Sequence, residues 1–280
     1  MKITALVENR AGGKLKPVHG LSLYVETARH KLLFDLGPDA TLFKNSRALG
    51  IDLRSIDTVI LSHGHNDHGG ALRAFLQLNK TAKVYVQRKA FEPHYIRVLF
   101  YRRDAGLDPA LASHPQLVPL DGDFCIDEEL SLFTVQDTSL CPSPANYMLY
   151  DDAGRDHFAH EQNLLIRANR NVLITGCGHT GILNILAAAP ARPQVCIGGY
   201  HLYNPIDRRT APKALLAEIA GKLSDYEADF YTCHCTGLRA YAYLSARVPH
   251  MHYLSCGGTL HVQAHESASE MKDNLTISHI

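Results

Sequence analysis

The stretch Ser62-His63-Gly64-His65-Asn66-Asp67-His68-Gly69-Gly70 decides how the rest of the chain is read. It follows Thr58-Val59-Ile60-Leu61, a short apolar run of the kind expected of a strand buried on both faces. It leads into Gly70 to Leu78, where apolar residues at 71, 72, 75, 76 and 78 predict a helix. In extended backbone, side chains two residues apart face the same side, so His63 and His65 can both reach one cation. Asp67 and His68 stand at the expected helix start and can point at a second position nearby. Glycines 64, 69 and 70 allow the backbone to bend tightly around such a site. Neutral imidazoles with a carboxylate suit Zn²⁺, Mn²⁺ or Fe²⁺.

On the N-terminal side, Ile3 to Val7 and Leu21 to Glu26 read as strands, and Leu32 to Gly37 as a strand closing a hairpin. Thr41 to Leu49 is helical in pattern and stopped by Gly50. On the C-terminal side, Lys83 to Gln87 reads as a strand. Arg88 to Pro119 has a weaker pattern with Pro109 and Pro115 as breakers, and is expected to be an insertion of helix and loop covering a substrate. Leu130 to Gln136 follows as a strand, then a hairpin of Asn163 to Arg167 with Asn171 to Thr175. From Thr180 onward strands and helices alternate, ending on strands at Tyr253 to Ser255 and Leu260 to Gln263. Hairpins early and strand–helix alternation late predict layers of sheet and helix, not one purely parallel sheet. A single domain over 1–264 is expected, with the insertion near 88–120 and a loosely attached polar tail over 265–280.

Composition narrows the function classes. The 280 residues hold 46% hydrophobic and 20% charged side chains, as a packed globular chain does. Lys+Arg and Asp+Glu are 28 each, so no global pull toward nucleic acid or an anionic membrane exists. No apolar run is long enough for a transmembrane helix, and the N-terminus lacks the pattern of a signal peptide. The seven scattered cysteines read as reduced thiols, and a cytoplasmic location is expected. Histidine is the outlier at 17 residues, and it is the commonest metal ligand.

H-x-H-x-D-H after a buried strand resembles the signature of the metallo-β-lactamase-fold superfamily. Phe34-Asp35-Leu36-Gly37 resembles the strand end that precedes it there. Gly20-Leu21-Ser22, Gly176-Cys177-Gly178-His179, Gly198-Gly199-Tyr200-His201-Leu202 and His234-Cys235-Thr236-Gly237 are similar to one subgroup, the 7,8-dihydropterin-6-methyl-4-(β-D-ribofuranosyl)-aminobenzene-5′-phosphate synthase-like proteins. The resemblance implies an α/β fold, a four-layer αββα sandwich with metals at one edge of the two sheets. It implies further ligands from later loops, carried here onto His179 and His234. Many superfamily members place an aspartate where this chain has Cys177, so Cys177 is an alternative ligand, as is His160 before the Asn163 strand. Asp35 is expected to orient a ligand imidazole. His201, His19 and Arg208 are expected at the substrate.

Six ligand candidates exceed one tetrahedral ion. Two divalent ions are therefore expected, zinc first with manganese or iron as alternatives, roughly 3.5–4 Å apart as in two-metal hydrolytic sites. His63, His65 and His179 would hold one, and Asp67, His68 and His234 the other, with a metal-activated water as nucleophile. With one metal, Asp67 would serve as general base. The residues opening the helices after His179 and after Cys235 are expected to offer free N–H groups to an anion. The function expected is a metal-dependent hydrolase of an anionic small molecule, a phosphate ester. The alternatives are a pterin-linked transferase and a non-catalytic metal or ligand sensor. Neither nucleic acid nor membrane is expected as a partner, and a homodimer is left open.

Overall fold

In the first sheet, the side chains of successive residues divide between two cores. Ile3, Ala5, Leu32, Phe34 and Ile60 point one way; Leu6, Leu33, Val59 and Val84 point the other. The second sheet does the same: Leu164, Ile166, Val172, Ile174 and Ile197 share the first group's core, while Leu165, Leu173 and Phe230 face away. The pleat of each strand thus fills an inner core between two sheets and an outer core beneath helices. Helices Thr41–Ala48 and Leu72–Leu78 bury Leu42, Phe75 and Leu76 on the first sheet. Ile182–Ala188, Lys213–Ser224 and Leu238–Ser245 cover the second with Ile185, Ile219 and Leu244. The computed structural model, which describes residues 1–262, is therefore a four-layer αββα sandwich.

Each large sheet has seven strands and is mixed. The first runs Thr259–His261, Lys2–Val7, Ser22–Glu26, Lys31–Phe34, Thr58–Ile60, Lys83–Gln87 and Leu117–Leu120. Its last four strands are parallel. The second runs Met251–Tyr253, Asp229–Thr232, Val195–Gly198, Val172–Ile174, Asn163–Ile166, Leu130–Phe133 and Phe124–Cys125, with its first four parallel. The carboxyl ends of these parallel strands release the loops that carry Asp35, His63, Cys177, His201 and His234. Crevices at such strand ends are where open α/β sheets bind ligands.

The segment expected to be helix and loop differs. Tyr95–Val98 and Tyr101–Asp104 form a β-hairpin joined by Leu149–Tyr150 into a small third sheet, and only single 3₁₀ turns flank it. Leu117–Leu120 is a strand of the first sheet, so the inserted part ends before residue 120. The hairpin escapes a sequence reading because Tyr101-Arg102-Arg103-Asp104 shows no alternation of apolar and polar residues and is exposed throughout. The tail at 265–280 lies outside the described residues. Among the described residues no helix is long and apolar enough to cross a membrane.

Candidate metal centre

His63 lies three residues beyond the end of strand Thr58–Ile60, and His65 is the extended residue that starts the four-residue helix Asn66–Gly69. That short helix carries Asp67 and His68 and explains why the longer helix begins only at Leu72. The loop packs too closely for a side chain at position 64: a Cβ there would lie 2.7 Å from His94 Nε2 and 2.5 Å from Ala90 O. Across the sandwich, Gly176 is held just as tightly, since its Cβ would lie 2.6 Å from Ser62 Cβ. The two sheets therefore meet at this point through glycine backbone.

The imidazoles converge in two trios. One ligand atom each from His63, His65 and His179 lies within 4.8 Å of the others. In the second, His68 Nε2 is 3.2 Å from His234 Nε2, and Asp67 Oδ2 stands 3.7 and 3.3 Å from those two nitrogens. Cys177 lies between: its Sγ is 3.1 Å from His68 Nε2 and shares a 4.8 Å cluster with His63 and His68. His19, half-exposed, brings Nε2 to 3.4 Å from Asp67 Oδ2.

Surrounding groups fix which nitrogen of each ring is free. Asp35 Oδ2 accepts from His68 Nδ1 at 2.6 Å and from the Ser62 hydroxyl at 2.7 Å. With its proton spent on Asp35, Ser62 Oγ accepts from His63 Nδ1 at 2.8 Å. Asn146 Oδ1 takes the Nδ1 proton of His179 at 2.9 Å, and Asn9 Oδ1 that of His234 at 2.9 Å. With Nδ1 engaged in these four rings, the Nε2 atoms of His63, His68, His179 and His234 turn inward, where a cation could take their lone pairs, as in metal-binding histidines.

That arrangement is the test of whether a cation fits. His63 Nε2 and His179 Nε2 are buried and have no hydrogen-bond partner, which polar groups seldom tolerate. His68 Nε2 and His234 Nε2 face each other at 3.2 Å with Asp67 Oδ2 beside both, so one positive charge, a shared proton or a cation in its place, belongs between them. Burial, followed by the neighbouring imidazoles, keeps His63 and His179 well below the ordinary histidine pKa; burial and His160 do so for His65. All three are neutral, as ligands must be. Burial opposes charge on His68, yet Asp35 and Asp67 outweigh it and push its pKa up to about 9. Burial likewise opposes ionisation of Asp67, but His68 and His234 hold its carboxyl well below the usual range. The donor set fits divalent cations.

Other expected residues fall elsewhere. His160 is buried beside the first trio but has both nitrogens engaged: Nδ1 accepts Gly64 N–H at 2.9 Å and Nε2 donates to Asp156 Oδ2 at 3.0 Å. It supports the backbone between His63 and His65 instead of pointing a free lone pair at them. Arg208 is exposed and is not among the residues lining the cavity over the trios. The turn at His179 and Thr180, ahead of the helix, does not offer its N–H groups to a ligand either. His179 N and Thr180 N both donate to the buried Glu161 carboxylate, at 2.7 and 2.9 Å, so the chain supplies its own anion there. His201 does line the cavity, buried, with both ring nitrogens unpartnered.

Several contributors escape the sequence reading. Asn9, Asn146 and Glu161 act through loops remote from the histidine motif. Phe158 stacks on His179 with parallel planes and centroids 4.3 Å apart. Buried Glu8 accepts His234 N at 2.7 Å, and Cys235 sits beside Cys177. Glu161 directly follows His160 in sequence, and that adjacency is the signal by which it could be found. Backbone at Asp35, His201 and His234 lies in the left-handed region, at φ 62°, 45° and 50°. Such non-glycine conformations cost about 1–3 kcal/mol each and gather at functional sites.

Residues 15–144 match the family model of the Metallo-beta-lactamase superfamily. Two proteins of Methanocaldococcus jannaschii are each 25% identical to the chain. One is the uncharacterized protein MJ0448, aligned over 87% of this chain and 93% of its own length. The other is a 7,8-dihydropterin-6-methyl-4-(beta-D-ribofuranosyl)-aminobenzene-5′-phosphate synthase, aligned over 86% and 89%. The crystal structure of Tm1679, a metal-dependent hydrolase of the beta-lactamase superfamily, superposes with a TM-score of 0.78 at 26% identity, covering 94% of this chain and 99% of that one. With its histidine run at the edge of an αββα sandwich, this chain has the metallo-β-lactamase fold, and its residues 15–144 are similar to that superfamily.

Proposed function

We propose that the protein is a metal-dependent hydrolase of an anionic small molecule, a phosphate ester. The observation that carries this reading is the pair of inward-facing donor trios, His63/His65/His179 and Asp67/His68/His234, opening on one cavity of about 350 Å³. Divalent ions bound there would supply charge neutralisation at a phosphoryl oxygen and acidify water. Zinc suits the nitrogen-rich set, and Cys177, placed between the trios, is a further donor for it.

The chain's own groups do the rest. With a single ion held by His63, His65 and His179, Asp67, partly open to the cavity and ionised at neutral pH, would accept a proton from an attacking water. His201 offers a ring nitrogen to the bound substrate. Apolar lining from Ile96, Met148 and Leu149 thins water around the reacting group, which strengthens each electrostatic contact.

The deciding experiment is elemental analysis of the purified protein paired with phosphomonoester, phosphodiester and lactone substrates, on wild type and His65→Ala. Metal bound by the wild type, and phosphate-ester turnover lost with it in His65→Ala, supports the reading. Equal metal content and equal rates in both proteins would overturn it.

A transferase reading has one observation in its favour, the 25% identity to the ribofuranosyl-aminobenzene phosphate synthase along most of both chains. Product analysis with a pterin diphosphate and the arylamine separates the two: a joined product and released pyrophosphate would replace hydrolysis as the reaction.

A further inference from the structure

Away from the histidines, the cavity changes character. Its outer wall is the hairpin Tyr95–Val98/Tyr101–Asp104, with Met148, Leu149 and Ile206 alongside. Antiparallel pairing sets Ile96 opposite Arg103, so both side chains rise on the same face, and both line the cavity. The other two arginines of the hairpin are used internally. Arg97 lies over Tyr150, and Arg102 lies over Tyr95 and is 3.7 Å from Asp152. Among the described residues Arg103 has no carboxylate partner, although Asp104 is its neighbour; Asp104 turns Oδ1 back to Gly106 N–H at 2.8 Å. At the inner end, His201 is only 8% exposed and neither ring nitrogen finds a partner, so a buried polar group faces the same space.

The cavity therefore has three zones: donors within, an apolar middle, and one free cation at the mouth. We propose that its ligand is an elongated molecule with two negative ends. The reacting anion enters among His65, Asp67, His179 and His201; a flat apolar body lies along Ile96, Met148 and Ile206; a second anionic group ends on Arg103. The reacting end rests on the proposed hydrolase reading, whereas the body and far end rest on the hairpin alone. Arg103 and Ile96 are then the residues that set specificity.

Three uncleavable probes test this by calorimetry on the zinc-loaded protein: methylphosphonate, benzylphosphonate and 4-carboxybenzylphosphonate. Benzylphosphonate is expected to bind about tenfold or more tightly than methylphosphonate, from burial of the ring. The added carboxylate is expected to gain roughly threefold more at low salt, as a partly exposed ion pair does. Arg103→Gln should erase only that last gain, and Ile96→Ala should shrink the first. Equal binding of the methyl and benzyl probes, no binding by any of them, or an Arg103→Gln loss shared equally by all three overturns the inference. Because the probes are not cleaved, graded binding without phosphate-ester turnover would remove the reaction and leave this ligand class standing. Turnover without the gradation would do the reverse.

Discussion

Asp35 governs His63 without touching it. Its Oδ2 takes the Ser62 proton at 2.7 Å, which obliges Ser62 Oγ to accept from His63 Nδ1 at 2.8 Å. The same oxygen holds His68 directly at 2.6 Å, so one buried carboxylate sets a ring in each donor trio.

Asp35→Asn keeps the volume but removes charge and adds a donor where two acceptors are needed. Metal affinity is expected to fall about 10- to 100-fold, as when groups that orient metal-bound histidines are replaced. Competition against a chromophoric chelator reads it, and an unchanged affinity would show that the tautomers are fixed by something else.

His179→Ala and His160→Ala should part company. Loss of His179 removes a free Nε2 and should abolish one bound ion per chain. Loss of His160 removes support for Gly64 N–H and a hydrogen bond to Asp156, and should leave the stoichiometry intact. Metal counting after gel filtration distinguishes them; the opposite pattern would make His160 the ligand.

Acid stability should depend on Asp156. Burial would raise its carboxyl, but hydrogen bonds from His160 and His94 outweigh that and hold it well below the usual range. A carboxyl with a depressed pKa in the folded state contributes stability above its unfolded pKa of about 3.9, and the contribution is lost as pH falls below that toward the folded value. Denaturant midpoints between pH 7 and pH 3 should therefore drop less steeply in Asp156→Asn than in wild type. Parallel curves would contradict the assignment.

Gly176→Ala tests the contact between the sheets. The new methyl would overlap the Ser62 side chain, which is pinned by Asp35 and has nowhere to go. A loss of about 1–3 kcal/mol in urea unfolding is expected, as for overpacking in a rigid core. A neutral result would mean that the loop yields.

Metal removal should destabilise in proportion to affinity. Free metal at a hundredfold over Kd contributes about 2.7 kcal/mol to the folded state. The melting temperature is expected to fall on chelation and recover with added zinc; no shift in either direction would mean that the trios bind nothing.

Much of this was legible because a metal site concentrates information. His63, His65, Asp67 and His68 occupy six consecutive residues whose spacing matches extended backbone running into a helix. His179 and His234 rest on the family resemblance of their motifs, and their places just after apolar strands agree with it. The layered fold followed from where hairpins gave way to strand–helix alternation. Asn9 and Asn146 were not legible: their function is to accept one proton each, and any exposed-looking asparagine in a loop reads the same way. Arg208 stands close to His201 in sequence, but closeness in the chain says little across a turn, whereas cross-strand pairing with Ile96 is what sets Arg103 on the cavity wall. The hairpin itself was missed because its strands face solvent on one side and a cavity on the other, so no apolar stripe marks them.

His68 and His234 touch although 166 positions separate them along the polypeptide. During synthesis, an emerging product would carry the histidine-rich run long before its last donor left the ribosome. The centre must then close late, and a prematurely terminated polypeptide would retain the motif yet lack the means to keep an ion.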